Sequence, residues 1–470
     1  MPFSGIPRGT VVAVCGIRWF IADMRTREYN SDPHSRSSAT AELSGWEHSA
    51  KPEPELELKV PTRGESSRHD GFPMRKLLII AYAFPPFPAP GSARAWRLYK
   101  YLPEFGYETH VITASLPDKP MPRVTYVPPP TRSLTEMVLR KYVFPADEDV
   151  LWTPRAIRAA EQLFMNTQFD AVLSTFPYIN VHGAAYRLKK RFGLPWIADY
   201  RDPLVGNPFR ATRGLPGFVD RFLDRRFFKT ADLLVAVTDC GKDSWVKRNP
   251  KVATKTAVIW NGFDPEEPIA PKPIAAGSYR VVAHIGNFYE GRSPVMPLAS
   301  ILRLIRRGTL VPARFRFRFI GRLDPAIWAA HEEVFGQLTN LGCLQWLATV
   351  PRADALAAMT ESDALMLADN NASGIGYTVP AKLFEYIRVG RPILALTVND
   401  SPVQRILAMS GVPFVTLSPD LDEQTVDQRM TEFLDLSSNP VSVSEDFLSQ
   451  FNGRNQAQTL AGLIDSVLTR

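Results

Sequence analysis

Residues 374–396 read Gly-Ile-Gly-Tyr-Thr-Val-Pro-Ala-Lys-Leu-Phe-Glu-Tyr-Ile-Arg-Val-Gly-Arg-Pro-Ile-Leu-Ala-Leu, a Gly-rich loop feeding a short helical segment and then an apolar run. Free backbone N–H groups and the positive end of the helix dipole at such a start attract an anion. Lys382 adds a cation there, and Glu385, one turn in, is placed to bind sugar hydroxyls. The order of residue types predicts a phosphate-and-ribose cradle, and so a nucleotide ligand. A second candidate lies near the other end of the chain, where Gly91 and Ser92 follow a predicted strand and precede a predicted helix. A glycine there lets backbone approach a phosphate or another bound ligand closely; a plain helix cap by Ser92 is the alternative. Arg94 and Arg97 add positive charge one turn further in. A third cluster, Asp199, Arg201 and Asp202, follows another predicted strand.

These groups need a scaffold, and the pattern from Lys76 onward supplies one. Short apolar runs alternate with helical segments, the signature of parallel βαβ units. Strands are predicted at 77–81, 109–113, 171–175, 196–199, 233–238 and 257–260, with helices such as 93–105 and 181–192 between them. After Asn261 the chain runs through Asp-Pro-Glu-Glu-Pro-Ile-Ala-Pro-Lys-Pro, which suits neither a helix nor a central strand. The alternation then restarts, with strands predicted at 281–285, 315–320, 344–347, 364–368, 393–397 and 414–417. Two such sheets each place a ligand crevice at the carboxyl ends of their strands, and facing domains share one cleft. The predicted division is therefore an N-terminal Rossmann-like domain at 75–262, a Pro-rich linker at 263–277, a C-terminal Rossmann-like domain at 278–440 and closing helices at 441–470.

Composition narrows the class. The chain has 470 residues and 45% apolar content, enough for two or three cores. Cys15, Cys240 and Cys343 are too far apart for a disulfide framework or a metal cluster, which fits a reducing compartment. Residues 1–74 carry nine Lys/Arg against ten Asp/Glu, so the remaining 46 basic and 38 acidic residues give the rest of the chain its basic balance. That balance suits anionic partners. No run reaches the about 18 to 20 apolar residues a membrane-spanning helix needs, because residues 11–24 are interrupted by Arg18 and Asp23. The polar, Pro-rich stretch that follows predicts a disordered extension over 1–73, with Met74 as an alternative start. No phosphate loop, dinucleotide fingerprint or zinc spacing is present, which excludes ATPase, dehydrogenase and zinc-site readings. Asp147-Glu148-Asp149 has an Asp-x-Asp form but reads as solvated acid in a loop, not as a metal site.

Four segments together carry a family resemblance: Ala-Tyr-Ala-Phe-Pro-Pro at 81–86 with Gly91-Ser92 after it, Ile-Ala-Asp-Tyr-Arg-Asp-Pro at 197–203, Asn-Gly-Phe-Asp at 261–264, and 380–386. From about Lys76 to its end the chain resembles the GT-B glycosyltransferases, and within them the retaining group called glycosyltransferase family four (glycosyltransferase group 1). The resemblance implies two Rossmann-like, doubly wound parallel-sheet domains facing a cleft, with the last helix packing back on the first domain. It also implies metal-independent transfer of a hexosyl unit from a nucleotide-diphosphate sugar to a hydroxyl, with no other cofactor.

Under that resemblance Arg292, in the Gly-Asn-Phe-Tyr-Glu-Gly-Arg loop that begins at Gly286, clamps the diphosphate, and Lys382 compensates for Asn287 at the second basic position. Glu385 takes the ribose hydroxyls. Tyr377 stands where many members carry a further glutamate, which leaves Gly376, Tyr377 and Thr378 to meet the donor largely through backbone. Arg201 occupies a position where many members have histidine, and arginine cannot act as a base. Proton removal then falls to Asp199, to Asp202 or to the departing phosphate. The implied partners are a nucleotide-sugar donor and a glycan or lipid-linked acceptor of bacterial cell-surface synthesis, with no nucleic acid. The implied location is the cytoplasm, extending to the inner-membrane surface, where residues 218–229 mix aromatics with Arg221, Arg225, Arg226 and Lys229. Tyr377 and Arg201 motivate one alternative, a non-catalytic pseudo-glycosyltransferase; a second is a sugar-nucleotide epimerase of the same architecture, which would lack a separate acceptor.

Overall fold

The computed structural model describes residues 73–86, 90–117, 119–131, 133–147, 149–175, 178–207, 210–273, 279–289, 292–369 and 379–469. The expected extension at 1–73 falls almost wholly outside them. The first lobe is a seven-stranded sheet of β1 (Arg75–Ala81), β2 (Tyr107–Thr113), β3 (Val124–Tyr126), β4 (Ala171–Thr175), β5 (Trp196–Tyr200), β6 (Leu233–Ala236) and β7 (Thr256–Val258). Its helices are α1 (Pro90–Tyr101), α2 (Leu134–Tyr142), α3 (Trp152–Asn166), α4 (Ile179–Phe192), α5 (Gly214–Thr230) and α6 (Asp239–Arg248). The strand order is β3-β2-β1-β4-β5-β6-β7, and every pairing is parallel.

The second lobe repeats the plan. Strands β8 (Arg280–Ile285), β9 (Phe315–Ile320), β10 (Leu344–Leu347), β11 (Ala364–Ala368), β12 (Ile393–Leu396) and β13 (Phe414–Leu417) pair in parallel in the order β10-β9-β8-β11-β12-β13. Around them run α7 (Val295–Arg306), α8 (Pro325–Ala330), α9 (Glu332–Asn340), α10 (Arg352–Thr360), α11 (Lys382–Val389), α12 (Pro402–Ser410) and α13 (Glu423–Asp435), followed by α14 (Glu445–Phe451) and α15 (Gly453–Leu468). In both sheets the order reverses beside the first strand, between β1 and β4 and between β8 and β11. Ligand crevices open at such switch points.

Burial explains the pattern. Leu77–Ala81 and Ala364–Leu367 are wholly buried, as central strands covered by helices on both faces must be. The chain crosses between lobes twice, side by side: the Phe263 N–H donates to the Phe451 carbonyl at 3.0 Å and the Gly453 N–H to the Phe263 carbonyl at 2.9 Å. Helix α15 then returns to the first lobe, burying Ala457, Leu460, Ala461 and Ile464 against Leu77, Ile79 and Leu173.

Three expectations about elements change. Strand β3 was not predicted, being only three residues long, at the sheet edge and among prolines. Strand β6 stops at Ala236 instead of running to 238, because Thr238 caps α6 by accepting from the Gly241 N–H. Helix α1 begins at Pro90, so Gly91 and Ser92 lie within its first turn instead of before it, and the Ser92 hydroxyl is buried without a hydrogen-bond partner. Capping by Ser92 is thereby excluded. Residues 218–229 mostly face inward: Leu223, Phe227 and Phe228 are core, while Phe218 is 60% exposed.

Candidate active site

The second-lobe crevice is assembled around the end of β8. Gly286 has φ +140, a region that favours glycine, and a Cβ there would stand 2.5 Å from the Lys382 Nζ. The lysine therefore packs directly over the glycine backbone. Its Nζ lies 3.1 Å from the Ile285 carbonyl and 3.1 Å from His284 Nε2, so two of its donor positions are engaged. His284 is wholly buried, stacks on Phe288 and donates Nδ1–H to the Met366 carbonyl at 2.8 Å, which leaves Nε2 free to accept from the lysine. Burial, with the Lys382 and Arg292 charges, holds the imidazole well below its ordinary range, so it stays neutral. Burial and the nearby Arg292 charge together push Lys382 down to about 7, partly opposed by Glu385.

Arg292 sits over the Tyr289 ring, 5.1 Å from its centroid, and its Nε is buried with no hydrogen-bond partner. A buried, unpartnered guanidinium nitrogen is costly unless a ligand meets it. Glu385, on the first turn of α11, accepts from Arg352 Nη2 at 2.6 Å, and Arg352 also pairs with Glu267. Its carboxylate is thus fixed in the crevice, not a free solvated acid. Gly286, Arg292, Lys382 and Glu385 converge at this switch point. Gly376, Tyr377 and Thr378 lie outside the described residues.

The first lobe presents a different set. Asp199, 2% exposed, receives Arg94 Nε and Nη2 at 2.8 Å each and the Thr175 hydroxyl at 2.9 Å. Arg94 Nη1 donates on to the Trp260 carbonyl at 2.9 Å, which ties this cluster to the crossing between lobes. The expectation of Asp199 as a base gives way here, because both its oxygens are held by a buried bidentate guanidinium. The arginine that pins this loop is Arg94 of α1, and Arg201 makes no ion pair among the described residues. Asp202 is only partly buried, without such a lock, and its charge acts on Tyr289 of the opposite lobe. It is the loop carboxylate that faces the cleft.

Asp147 is fully buried, receives the Ile179 N–H at 2.8 Å and pairs with Arg210, which also bridges to Asp220. It is therefore not solvated acid, and Glu148 lies outside the described residues. His182 is buried, within 2.8 Å of the Ser174 hydroxyl, and burial pushes it down to about 3, a packing role. Among the described residues no cluster of three or more His, Cys, Asp or Glu side chains is placed to hold a metal ion. None of their helices is long and apolar enough to cross a membrane.

Residues 91–267 match the family model described as Glycosyltransferase Family 4. Solved structures superpose over most of the chain. The chain has the GT-B glycosyltransferase fold. Sucrose-phosphate synthase from Thermosynechococcus elongatus superposes with a TM-score of 0.56 at 12% identity, covering 84% of this chain and 96% of that one. Anabaena HepE, in complex with UDP and glucose, gives 0.52 at 14% identity, over 84% and 97% of the two chains. The catalytic domain of starch synthase IV from Arabidopsis thaliana, bound to ADP and acarbose, gives 0.52 at 13% identity, over 84% and 100%. At such identities the likeness speaks for the fold alone. No curated protein sequence matches the chain.

Within this GT-B frame, sequence reading missed His284, Arg352 and the Arg94–Asp199 lock. His284 left a trace as the one polar residue between Val281 and Ile285 in a strand ahead of a glycine. The other two pairings join residues 33 and 105 positions apart and left none.

Proposed function

We propose that the chain is a retaining, metal-independent glycosyltransferase that moves a hexosyl unit from a nucleotide-diphosphate sugar to a hydroxyl. The observation that carries the reading is the cation pair at the second switch point: Lys382 held over Gly286, and Arg292 with a buried, unpartnered Nε. Charge builds on the leaving phosphate as the glycosidic bond breaks, and fixed cations at that point lower the barrier. Glu385, oriented by Arg352, is assigned to the ribose hydroxyls, and the Gly286 backbone to close approach by the phosphates. Gly91 and Ser92 face the donor from the first lobe, and the backbone of Gly376, Tyr377 and Thr378 completes its pocket. Asp199 shapes the loop through Arg94, while Arg201 and Asp202 form the acceptor side. With Asp199 locked, the acceptor proton passes to Asp202 or to the departing phosphate, a route that suits retention.

No cofactor beyond the donor is required in this reading. That HepE was solved with UDP and the starch synthase with ADP supports a nucleoside diphosphate as the leaving group. The acceptor is assigned to glycan or lipid-linked chains of bacterial cell-surface synthesis, at the cytoplasmic face of the inner membrane, and nucleic acid is not a partner. The test is release of nucleoside diphosphate from a panel of uridine, adenosine and guanosine diphosphate sugars. Release from one donor, abolished by Arg292→Ala or Glu385→Ala, supports the proposal. Binding without turnover across donors and acceptors would replace it with the pseudo-glycosyltransferase.

A further inference from the structure

Four arginines of the first lobe, three buried and Arg201 partly so, fall into two groups. Arg94, at 4% exposure, is bonded to Asp199 and the Trp260 carbonyl, and Arg210, at 7%, to Asp147 and Asp220. Arg97, also 7% exposed, has no hydrogen bond or ion pair among the described residues, and Arg201, only part-buried as a whole but with its Nε cut off from solvent, has none either. The two unpartnered cations act on each other through space, and both are repelled by Arg94. Arg97 also feels Asp264 and, across the cleft, Glu385, and Arg201 feels Asp202 beside it and Asp199, without any of these carboxylates closing onto either guanidinium.

A guanidinium shut away from water without a partner is costly, so the buried Arg97 beside the part-buried Arg201 with its enclosed Nε points to an anion that completes them. Arg292 and Lys382, in the other lobe, already face the donor diphosphate. We propose that Arg97 and Arg201 form a second anion site on the acceptor side of the cleft, and that the acceptor carries a phosphate or carboxylate of its own. This inference rests on the transferase reading and names its acceptor class. Burial, with the Arg94 charge, pushes Arg97 down to about 10 against the opposing pull of Asp264 and Glu385.

The test uses the full chain saturated with nucleoside diphosphate and titrates inorganic phosphate by calorimetry. One further equivalent is expected to bind without displacing the nucleotide, weakened at least about tenfold by Arg201→Gln and by Arg97→Gln but retained in Arg201→Lys. Phosphate that only competes with the nucleotide, or that binds Arg201→Gln as well as wild type, would overturn the proposal. Arg97 packs against Gly453, so Arg201→Gln is the deciding variant. Glucose 6-phosphate and glucuronate, titrated beside glucose, separate the two anion chemistries; tighter binding of either one than of glucose is expected, and equal binding of all three would also overturn it. If no nucleoside diphosphate binds at all, the transferase reading fails, while phosphate titration of the free protein still tests the arginines.

Discussion

In the proposed transferase, Lys382 makes donor binding a protonation event. Burial and the Arg292 charge, outweighing Glu385, push its ammonium down to about 7. At pH 8 about nine in ten molecules therefore carry a neutral amine. A diphosphate oxygen about 4 Å away at an effective dielectric near 20 favours the ammonium by about 4 kcal/mol, or about three pKa units, which carries the bound value to about 10. Binding at pH 8 then takes up about 0.9 proton, and affinity falls about 50-fold between pH 7 and 9, close to 2.3 kcal/mol. The phosphate's own last proton, lost near pH 6, contributes little in that window. The sign for stability is opposite. A lysine depressed in the folded state binds fewer protons than the unfolded chain between pH 7 and its ordinary value. This group alone then makes the empty protein more stable as pH rises there, by about 1.4 kcal/mol per unit. Calorimetry with the nucleoside diphosphate in buffers of different ionisation enthalpy reads the proton number directly. Lys382→Met should abolish the uptake and flatten the pH dependence. A proton number near zero with Lys382 intact, or affinity unchanged from pH 7 to 9, would refute the reasoning.

Other consequences follow from the same geometry. Asp199→Ala leaves the Arg94 guanidinium buried and unpaired and should cost about 3–5 kcal/mol, whereas Asp202→Asn should change stability by no more than about 0.5 kcal/mol; similar losses in urea unfolding for both would contradict the separation of structural and cleft-facing acids. Gly286→Ala puts a Cβ 2.5 Å from Lys382 Nζ at a φ of +140. Displacement of the lysine should weaken diphosphate binding at least about tenfold, and unaltered affinity would show that the lysine does not depend on that glycine. For membrane contact, the exposed Phe218 and the arginines of α5 predict flotation with anionic vesicles at low salt, lost at high salt; no flotation at low salt ends that assignment.

How much of this was legible in the sequence depends on the range of the interaction that decides each feature. The central strands were plain because burial on both faces makes runs such as Leu77–Ala81 continuously apolar. The Pro-rich segment after Asn261 marked the crossing for the same local reason. Strand β3 escaped because three residues between prolines offer no run to detect. The site's residue types were visible at Arg292, Lys382 and Glu385, but their states were not. Asp199 looked like a free loop acid until Arg94, 105 positions earlier, closed on it, and Asp147 until Arg210 did. Lys382 stood out as a cradle cation, but nothing local showed that the fold sets it over Gly286 against a neutral histidine. Pairings between distant elements leave no periodicity, so sequence reading finds the candidates and not their partners.

In the proposed function the crevice beside β8 grips a sugar nucleotide by its diphosphate. A crystal structure with bound nucleoside diphosphate tests it most directly. Phosphate oxygens are expected within hydrogen-bond distance of Lys382 Nζ and the Arg292 guanidinium, with the ribose on Glu385. A nucleotide bound elsewhere, or one whose phosphates leave Arg292 Nε unpartnered, would contradict it.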